Sequence, residues 1–296
     1  MKRLEKESLA ACGPDGWRPG QKEVRLPDGC NVVNAHADIQ EAVTRAKGTG
    51  EWLTDFYIAG DRLENWIQKG EIRMCTIGKT AFILRERPAF WQTYFVSPDK
   101  ASLAADLKAF LSDSDEKLAI FTLGNVDELH ETIENAGMRF YAGISRVSKF
   151  VKETGEPHIR EGAELARIDD AAEIQEIMYD TLDVYSDQLF DVDEIEYTIK
   201  SKQAIVIRDH EKDVIEAFYC YGRQGVTTKD TCMASRPEYR SDMAGVKIVD
   251  AYKEYTADVR RHTGWIRDNN RASKAISNYF GFKADGFRQE VFVYNI

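Results

Sequence analysis

The stretch Arg236-Pro237-Glu238-Tyr239-Arg240-Ser241-Asp242-Met243-Ala244-Gly245-Val246 decides how the second half of this chain is read. It follows a β-rich run, Thr227 to Ser235, and opens a helical pattern from Ala244 to Val259, with Val246, Val249, Tyr252 and Lys253 near one face. As a bare strand–turn–helix it needs only a helix cap, which Ser241 or Asp242 could provide. Upstream, Ala204–Arg208 and Ile215–Tyr221 read as two strands joined by the polar turn Arg208–Asp213. Two amphipathic helices precede them, Asp170–Asp183 (apolar at Ile174, Ile177, Met178 and Leu182) and Asp191–Ser201. Downstream come the apolar run Gly264-Trp265-Ile266-Arg267, a helix beginning at Arg271, and final strands after Gly281-Phe282. This is an α/β (α+β) pattern: a mixed, mostly antiparallel sheet flanked by helices.

The first half echoes the second. Asp38-Ile39-Gln40-Glu41-Ala42-Val43 matches Glu173-Ile174-Gln175-Glu176-Ile177-Met178, and Leu63–Gln68 matches Ile195–Lys200, each just before a strand-like run. Near each end an apolar strand leads to an Asn (Asn125, Asn269), then a helix, then Gly plus an apolar residue (Gly137-Met138, Gly281-Phe282). Three echoes in the same order argue for duplication. The polar segment Lys152-Glu153-Thr154-Gly155-Glu156-Pro157 reads as the linker. The expected organisation is an irregular arm over 1–31, one domain over 32–151 and a second over 157–296.

A formal net charge of -10 lacks the basic footprint of a phosphate-backbone binder, so nucleic acid is not the expected partner. A small amine suits the acidic balance better, and a phosphate-bearing cofactor still needs only a few local donors. No apolar run is long enough to span a bilayer, and Met1–Lys6 carries no apolar core of a secretion signal. The expectation is a cytoplasmic protein that does not engage membranes. Cys12, Cys30, Cys75, Cys220 and Cys232 form no C-x-x-C pair and no disulfide-like rhythm, and the histidines are dispersed, so no metal site is expected.

The Arg236–Val246 stretch resembles the pyrophosphate loop of GNAT N-acyltransferases, Arg/Gln-x-x-Gly-x-Gly/Ala, with Arg240 first, Gly245 last and Met243 in place of the middle glycine. Asn270 through Gly281-Phe282 resembles the same family's Asn-x-x-Ala helix with its Gly-Phe corner. The resemblance covers about Pro157 to Ile296, and the first half looks like a degenerate copy, giving two tandem GNAT-like domains. It implies acetyl-CoA, or another acyl-CoA, as co-substrate. Backbone N–H groups at a helix N-terminus would hold the pyrophosphate, and glycine would let the backbone approach. Met243 can offer its N–H but disfavours a left-handed conformation. The implied cofactor residues are Met233 and Ser235 on the strand, Arg240, Ser241, Asp242, Met243, Ala244 and Gly245 in the loop, and Asn269, Asn270 and Ser273 at the last helix, with Lys247 and Arg271 as further phosphate partners. Asn269 and Asn270 equally suit a capping role.

The resemblance further implies direct attack by an amine, with a general base and a general acid. The position usual for an acidic Tyr is Ser277, a far weaker acid; Tyr279 faces elsewhere on the helix and reads as a packing residue. Tyr219 or Tyr221 could substitute as acid, and Glu216 and Asp230 are the candidate bases. Cys232 reads as a small core residue. In the first half Ser97-Pro98-Asp99-Lys100 has no glycine and puts Asp99 where a pyrophosphate would lie, so that half is expected to bind no CoA. Its aromatics Trp52, Phe56, Tyr57 and Trp66 read as core. The reading is thus an N-acetyltransferase acting on a small amine. Two alternatives stay open: a non-catalytic acyl-CoA sensor or scaffold, and a tandem ligase of the Fem type that takes amino acids from aminoacyl-tRNA. Acceptor and oligomeric state are not legible.

Overall fold

The computed structural model describes residues 26–48, 50–58, 60–124, 126–187 and 189–296. Most of the arm expected over 1–31, and Asn125 of the repeated motif, lie outside them. The chain divides into two compact units: a C-terminal unit, Ser145–Phe287, and an N-terminal unit of the described residues up to Ile144 together with Arg288–Ile296.

In chain order the first elements are β1 (Asn31–Val32), α1 (His36–Lys47), β2 (Leu53–Thr54), α2 (Gly60–Gln68), β3 (Ile72–Ile77), β4 (Thr80–Glu86) and β5 (Trp91–Ser97). Then come α3 (Lys100–Ser112), β6 (Leu118–Leu123), α4 (Val126–Ala136) and β7 (Arg139–Phe150). The second series is β8 (Ala163–Leu165), α5 (Ala171–Thr181), α6 (Val192–Lys200), β9 (Ala204–Asp209), β10 (Val214–Gln224) and β11 (Thr227–Ser235). It closes with α7 (Ala244–Tyr255), β12 (Arg261–Arg267), α8 (Arg271–Tyr279) and β13 (Lys283–Tyr294). Apart from β2, the two series have the same order of elements, β-α-α-β-β-β-α-β-α-β, so the repeat seen in the sequence is a repeat of the fold.

The two halves even end their fourth helices alike. Gly137 (φ 115°) and Gly281 (φ 79°) are both left-handed. Met138 N–H donates to Ile133 O at 3.3 Å, and Phe282 N–H to Ser277 O at 2.9 Å. This is a Schellman closure, which favours glycine because it needs positive φ.

Within the N-terminal unit the strand order is β1-β3-β4-β5-β6-β13, with β2 also on β5. Within the C-terminal unit it is β7-β12-β11-β10-β9-β8. The division falls inside β7 and inside β13, whereas the sequence reading set it at the linker 152–157. The last residues pair antiparallel with β6, from Gln289↔Leu123 to Tyr294↔Leu118. There Phe292 is buried among Leu118, Ile120 and Ile133, the apolar surface that draws the C-terminus into this unit.

In the C-terminal unit, successive strand residues serve two cores. Val206, Phe218 and Cys220 pack with Ile174, Ile177, Met178, Ile195 and Ile199 of α5 and α6. Ile205, Ala217, Tyr219 and Tyr221 pack with Ile248, Val249 and Tyr252 of α7. Full burial of one large apolar side chain contributes about 1.5–3 kcal/mol, so these faces dictate which side of the sheet each helix covers.

Four details depart from the sequence reading. Helix α7 stops at Tyr255 rather than Val259, where the Thr256 hydroxyl donates to Tyr252 O at 2.6 Å. Of the four first-half aromatics, Trp66 is core and Phe56 half-buried, but Trp52 and Tyr57 are exposed, Trp52 lying under the Lys47 ammonium at 4.0 Å. The final strands are one strand, β13. The described cysteines meet in pairs: the thiols of Cys30 and Cys75 hydrogen-bond, and so do those of Cys220 and Cys232, all remaining free thiols.

Candidate functional site

Strands β11 and β12 run parallel and pair at only three positions, Thr227↔Arg261, Thr228↔His262 and Lys229↔Thr263. Beyond these both strands continue without pairing to each other. At the same point β11 bulges: Tyr221 faces Asp230 and Cys220 faces Cys232, leaving Thr231 as the extra residue. The bulge alters the alternation of side chains. Asp230 and Met233 both turn to the α7 side, and Cys232 and Ala234 to the α5 side. The Thr231 hydroxyl oxygen is buried with no hydrogen-bond partner among the described residues.

Asp230 is the centre of a polar cluster on the α7 side. The Tyr252 hydroxyl donates to Asp230 Oδ1 at 2.8 Å. It also meets Thr228 Oγ1 at 2.5 Å and His262 Nδ1 at 2.9 Å, and those two are 2.9 Å apart. Tyr219 stacks on Tyr252, ring centroids 4.1 Å apart, and its hydroxyl hydrogen-bonds the Asp230 carboxyl. On the other side Gly264 makes room for the carboxyl: a Cβ there would lie 2.8 Å from Oδ2.

Burial pushes the Asp230 carboxyl up to about 7, while the hydrogen bonds from Tyr252 and Tyr219 hold it down against that trend. Burial pushes His262 down to about 4, helped by the charges of Lys149 and Lys253, so its imidazole is neutral at physiological pH. Tyr219 and Tyr252 are raised, first by burial and then by the Asp230 charge, which makes them poor acids in their own right. A carboxyl balanced near neutrality, where two parallel strands part, can take and return a proton.

The start of α7 adjoins this region. A Cβ at Gly245 would lie 3.8 Å from both Ser235 Oγ at the end of β11 and Ile276 Cδ1 of α8, so three elements meet there. Met243 is left-handed (φ 59°, ψ 29°) and 58% exposed, although its side chain disfavours that conformation. Its N–H is committed to Arg240 O at 3.2 Å and that of Asp242 to Tyr239 O at 3.3 Å, contrary to the expectation that Met243 could offer its N–H. Neither Ser241 nor Asp242 caps the helix; Ser241 Oγ donates instead to Asp242 Oδ1 at 3.4 Å. The first N–H groups of α7, those of Ala244 and Gly245, have no intrahelical acceptor by construction. Arg240, Lys247 and Arg271 are exposed and have no ion pair among the described residues. Uncapped N–H groups, a residue without a side chain and nearby unpaired cations fit a pyrophosphate.

The other expected site residues divide. Met233 lies opposite Tyr219 in the β10–β11 register, and Ala244 is fully buried. Asn270 caps α8, its Oδ1 accepting from Ser273 N at 3.0 Å, so the Ser273 N–H is already used; Asn269 is exposed. Glu216 is at a second irregularity, near the far end of β10 from the Tyr221–Asp230 pair, and does not join the cluster. Ser277 makes no side-chain hydrogen bond among the described residues. Tyr279, expected to pack, is 78% exposed and touches the ring of Phe280. Tyr252, Thr228 and Gly264 are read from the sequence only as parts of a helix and of strands, and neither they nor His262 are among the expected site residues. His262 lies ten residues beyond Tyr252; the parallel register sets it opposite Thr228, where its ring meets the hydroxyl that Tyr252 turns to Asp230.

The N-terminal unit has the same parting strands with different contents. β5 and β6 also pair at three positions, Trp91↔Leu118, Gln92↔Ala119 and Thr93↔Ile120. Beyond them β2 pairs with β5 at Leu53↔Ser97 and Thr54↔Val96. Asp55 Oδ1 accepts from Phe95 N at 2.7 Å and the Thr54 hydroxyl donates to Phe95 O at 2.7 Å. Asp55 is 5% exposed, its Oδ2 has no partner among the described residues, and burial holds its carboxyl well above the ordinary value. At the start of α3, Asp99 accepts from Ser102 N at 2.7 Å and from Ser102 Oγ at 2.9 Å, which lowers its own carboxyl below the usual range.

No family model matches this sequence, and no curated protein matches it. Solved structures do. A GCN5-related N-acetyltransferase from Sphaerobacter thermophilus superimposes with a TM-score of 0.56 at 12% identity, covering 91% of this chain and 96% of that one. One from Kribbella flavida gives 0.52 at 13%, covering 78% and 92%. A GNAT-family acetyltransferase from Colwellia psychrerythraea gives 0.52 at 8%, covering 89% and 98%. The chain therefore has the GNAT fold, and its own repeated order of elements makes the arrangement a tandem one.

Proposed function

We propose that this protein is an acyl-CoA-dependent N-acyltransferase that moves an acetyl group from acetyl-CoA to a small amine, with its chemistry in the C-terminal unit. In sequence terms 157–296 is the working copy, 32–151 the degenerate one, and 1–31 an arm outside both. The observation that carries this reading is Asp230, a carboxyl balanced near neutrality at the bulge where β11 and β12 part. The co-substrate supplies an activated acyl thioester. Arg240, Lys247, Arg271 and the first N–H groups of α7 would bind its phosphates, and the stretch of β11 through Met233 to Ser235, paired with β10 but no longer with β12, would lie along its arm. Asp230 takes the proton from the ammonium form of the acceptor, leaving a neutral amine able to attack. The C–N bond forms as the C–S bond breaks, and the departing thiolate takes up the proton that the nitrogen loses on becoming an amide. Tyr219 and Tyr252 hold the carboxylate by hydrogen bonding.

Ser277 supports a second reading, an acyl-CoA-binding sensor without turnover, since no side-chain bond among the described residues prepares it to act as an acid.

The test is the thermal midpoint with acetyl-CoA, longer acyl-CoAs and free CoA, followed by thiol release with a panel of amines. A ligand at 100 times its Kd adds about 2.7 kcal/mol, which is visible as a higher midpoint. A rise that Arg240→Glu abolishes in a folded protein supports the cofactor reading; a rise without thiol release for any amine supports the sensor. No rise with any of them rejects both.

A further inference from the structure

One arrangement of the hydrogen bonds behind Asp230 gives every proton an acceptor and links all three groups in series. His262 Nδ1–H donates to Thr228 Oγ1, the Thr228 hydroxyl to the Tyr252 oxygen, and the Tyr252 hydroxyl to Asp230 Oδ1, over 2.9, 2.5 and 2.8 Å. Every hydrogen then points toward the carboxyl. The cluster is buried: His262 is 4% exposed, and Thr228 and Tyr252 are fully buried. In such surroundings an aligned chain of donors is stronger than in water and has no solvent to replace it.

We propose that Tyr252, backed by Thr228 and His262, is a positioning residue that aims this donor chain at Asp230 and thereby keeps a buried carboxyl ionised and ready to act as the base. The role rests on reading Asp230 as the base, and it assigns function to three residues that touch neither substrate nor cofactor. It also accounts for His262 in its neutral form, since the chain needs one proton on Nδ1 and none gained. The charged or titratable groups facing Asp230 are Tyr219 from β10 and Tyr252 from α7; those facing His262 are Lys149 of β7 and Lys253 of α7. Apart from Tyr252 and Tyr219, none of them donates a hydrogen bond to the carboxyl among the described residues, so loss of the Tyr252 hydroxyl removes a principal stabiliser of the charged form.

The experiment is a pH titration of Asp230 by carboxyl carbon NMR in aspartate-labelled protein, assigned with Asp230→Asn, which needs no acceptor. The wild-type midpoint is expected near 7. Tyr252→Phe retains the ring and its stack on Tyr219 and should raise the midpoint by about one pH unit. His262→Leu should raise it by less, and His262→Asn, which restores a donor in place of Nδ1–H, should return it toward wild type. Merely structural residues would lower the melting temperature without this order of midpoints. An unchanged or lowered midpoint in folded Tyr252→Phe overturns the inference. Full thiol release by Asp230→Asn overturns instead the assignment of the base, so the two failures are told apart.

Discussion

The two units draw the same frame around opposite contents. In each, a β-strand and the strand after the next helix run parallel for three residue pairs and then part. In the N-terminal unit the chain's own β2 lines the strand past that point. Thr54 and Asp55 use both backbone groups of Phe95, and Asp99 caps the following helix. In the C-terminal unit no strand among the described residues pairs there, α7 has no side-chain cap, and a carboxyl with a midpoint near neutrality stands on the bulged strand. A fold built twice is thus closed on itself once and left with free donors once. The lesson is that donors, not topology, decide where an anionic cofactor can bind.

The sharpest way to break this contrast is to neutralise its two buried acids. Asp230→Asn should lower the rate of thiol release by about 10²–10⁴-fold, the range for removing a general base. Asp55→Asn should leave the rate within experimental error; an equal loss would mean that both units share the chemistry.

Next comes the pH dependence of stability. An acid whose folded value is raised lends stability below its unfolded value and loses it as pH rises through the folded one. Asp55 is raised by burial, so the wild type should become less stable as pH rises above the ordinary carboxylate range. Asp55→Asn should flatten that fall in denaturant titrations run from pH 4 to 8.

A smaller effect is expected at the two helix starts. Met243→Gly relieves a left-handed methionine and should stabilise the protein by about 1 kcal/mol, read from the denaturant midpoint. Asp99→Ala should shift the thermal midpoint down slightly and in the opposite sense, because it removes the cap of α3. If both changes moved stability the same way, the difference between a capped and an uncapped helix would not hold.

Much of the frame was legible. Strand β11 has the bounds read from its residues, Thr227–Ser235, and α8 starts at Arg271 as expected. The glycines at 137 and 281 are legible because a Schellman closure rewards a residue with no Cβ. The candidate base was legible only as one of a pair, since Asp230 and Glu216 are both strand carboxylates and no local pattern separates them. The bulge at Thr231 and the room left by Gly264 separate them, and both depend on the neighbouring strands. β2 was illegible for a different reason: two residues carry no periodicity, and Leu53-Thr54 becomes a strand only by pairing with β5 beyond the end of β6.

The sequence by itself determined the repeated order of helices and strands, through apolar periodicity and the glycines that end helices, because those are properties of neighbours along the chain. Tertiary structure alone decided which parting of strands carries a pairing segment and which carries a titrating carboxyl. Burial, strand register and the alignment of Tyr252, Thr228 and His262 arise between residues far apart in sequence, and a carboxyl's proton affinity follows from the field and solvent they leave around it.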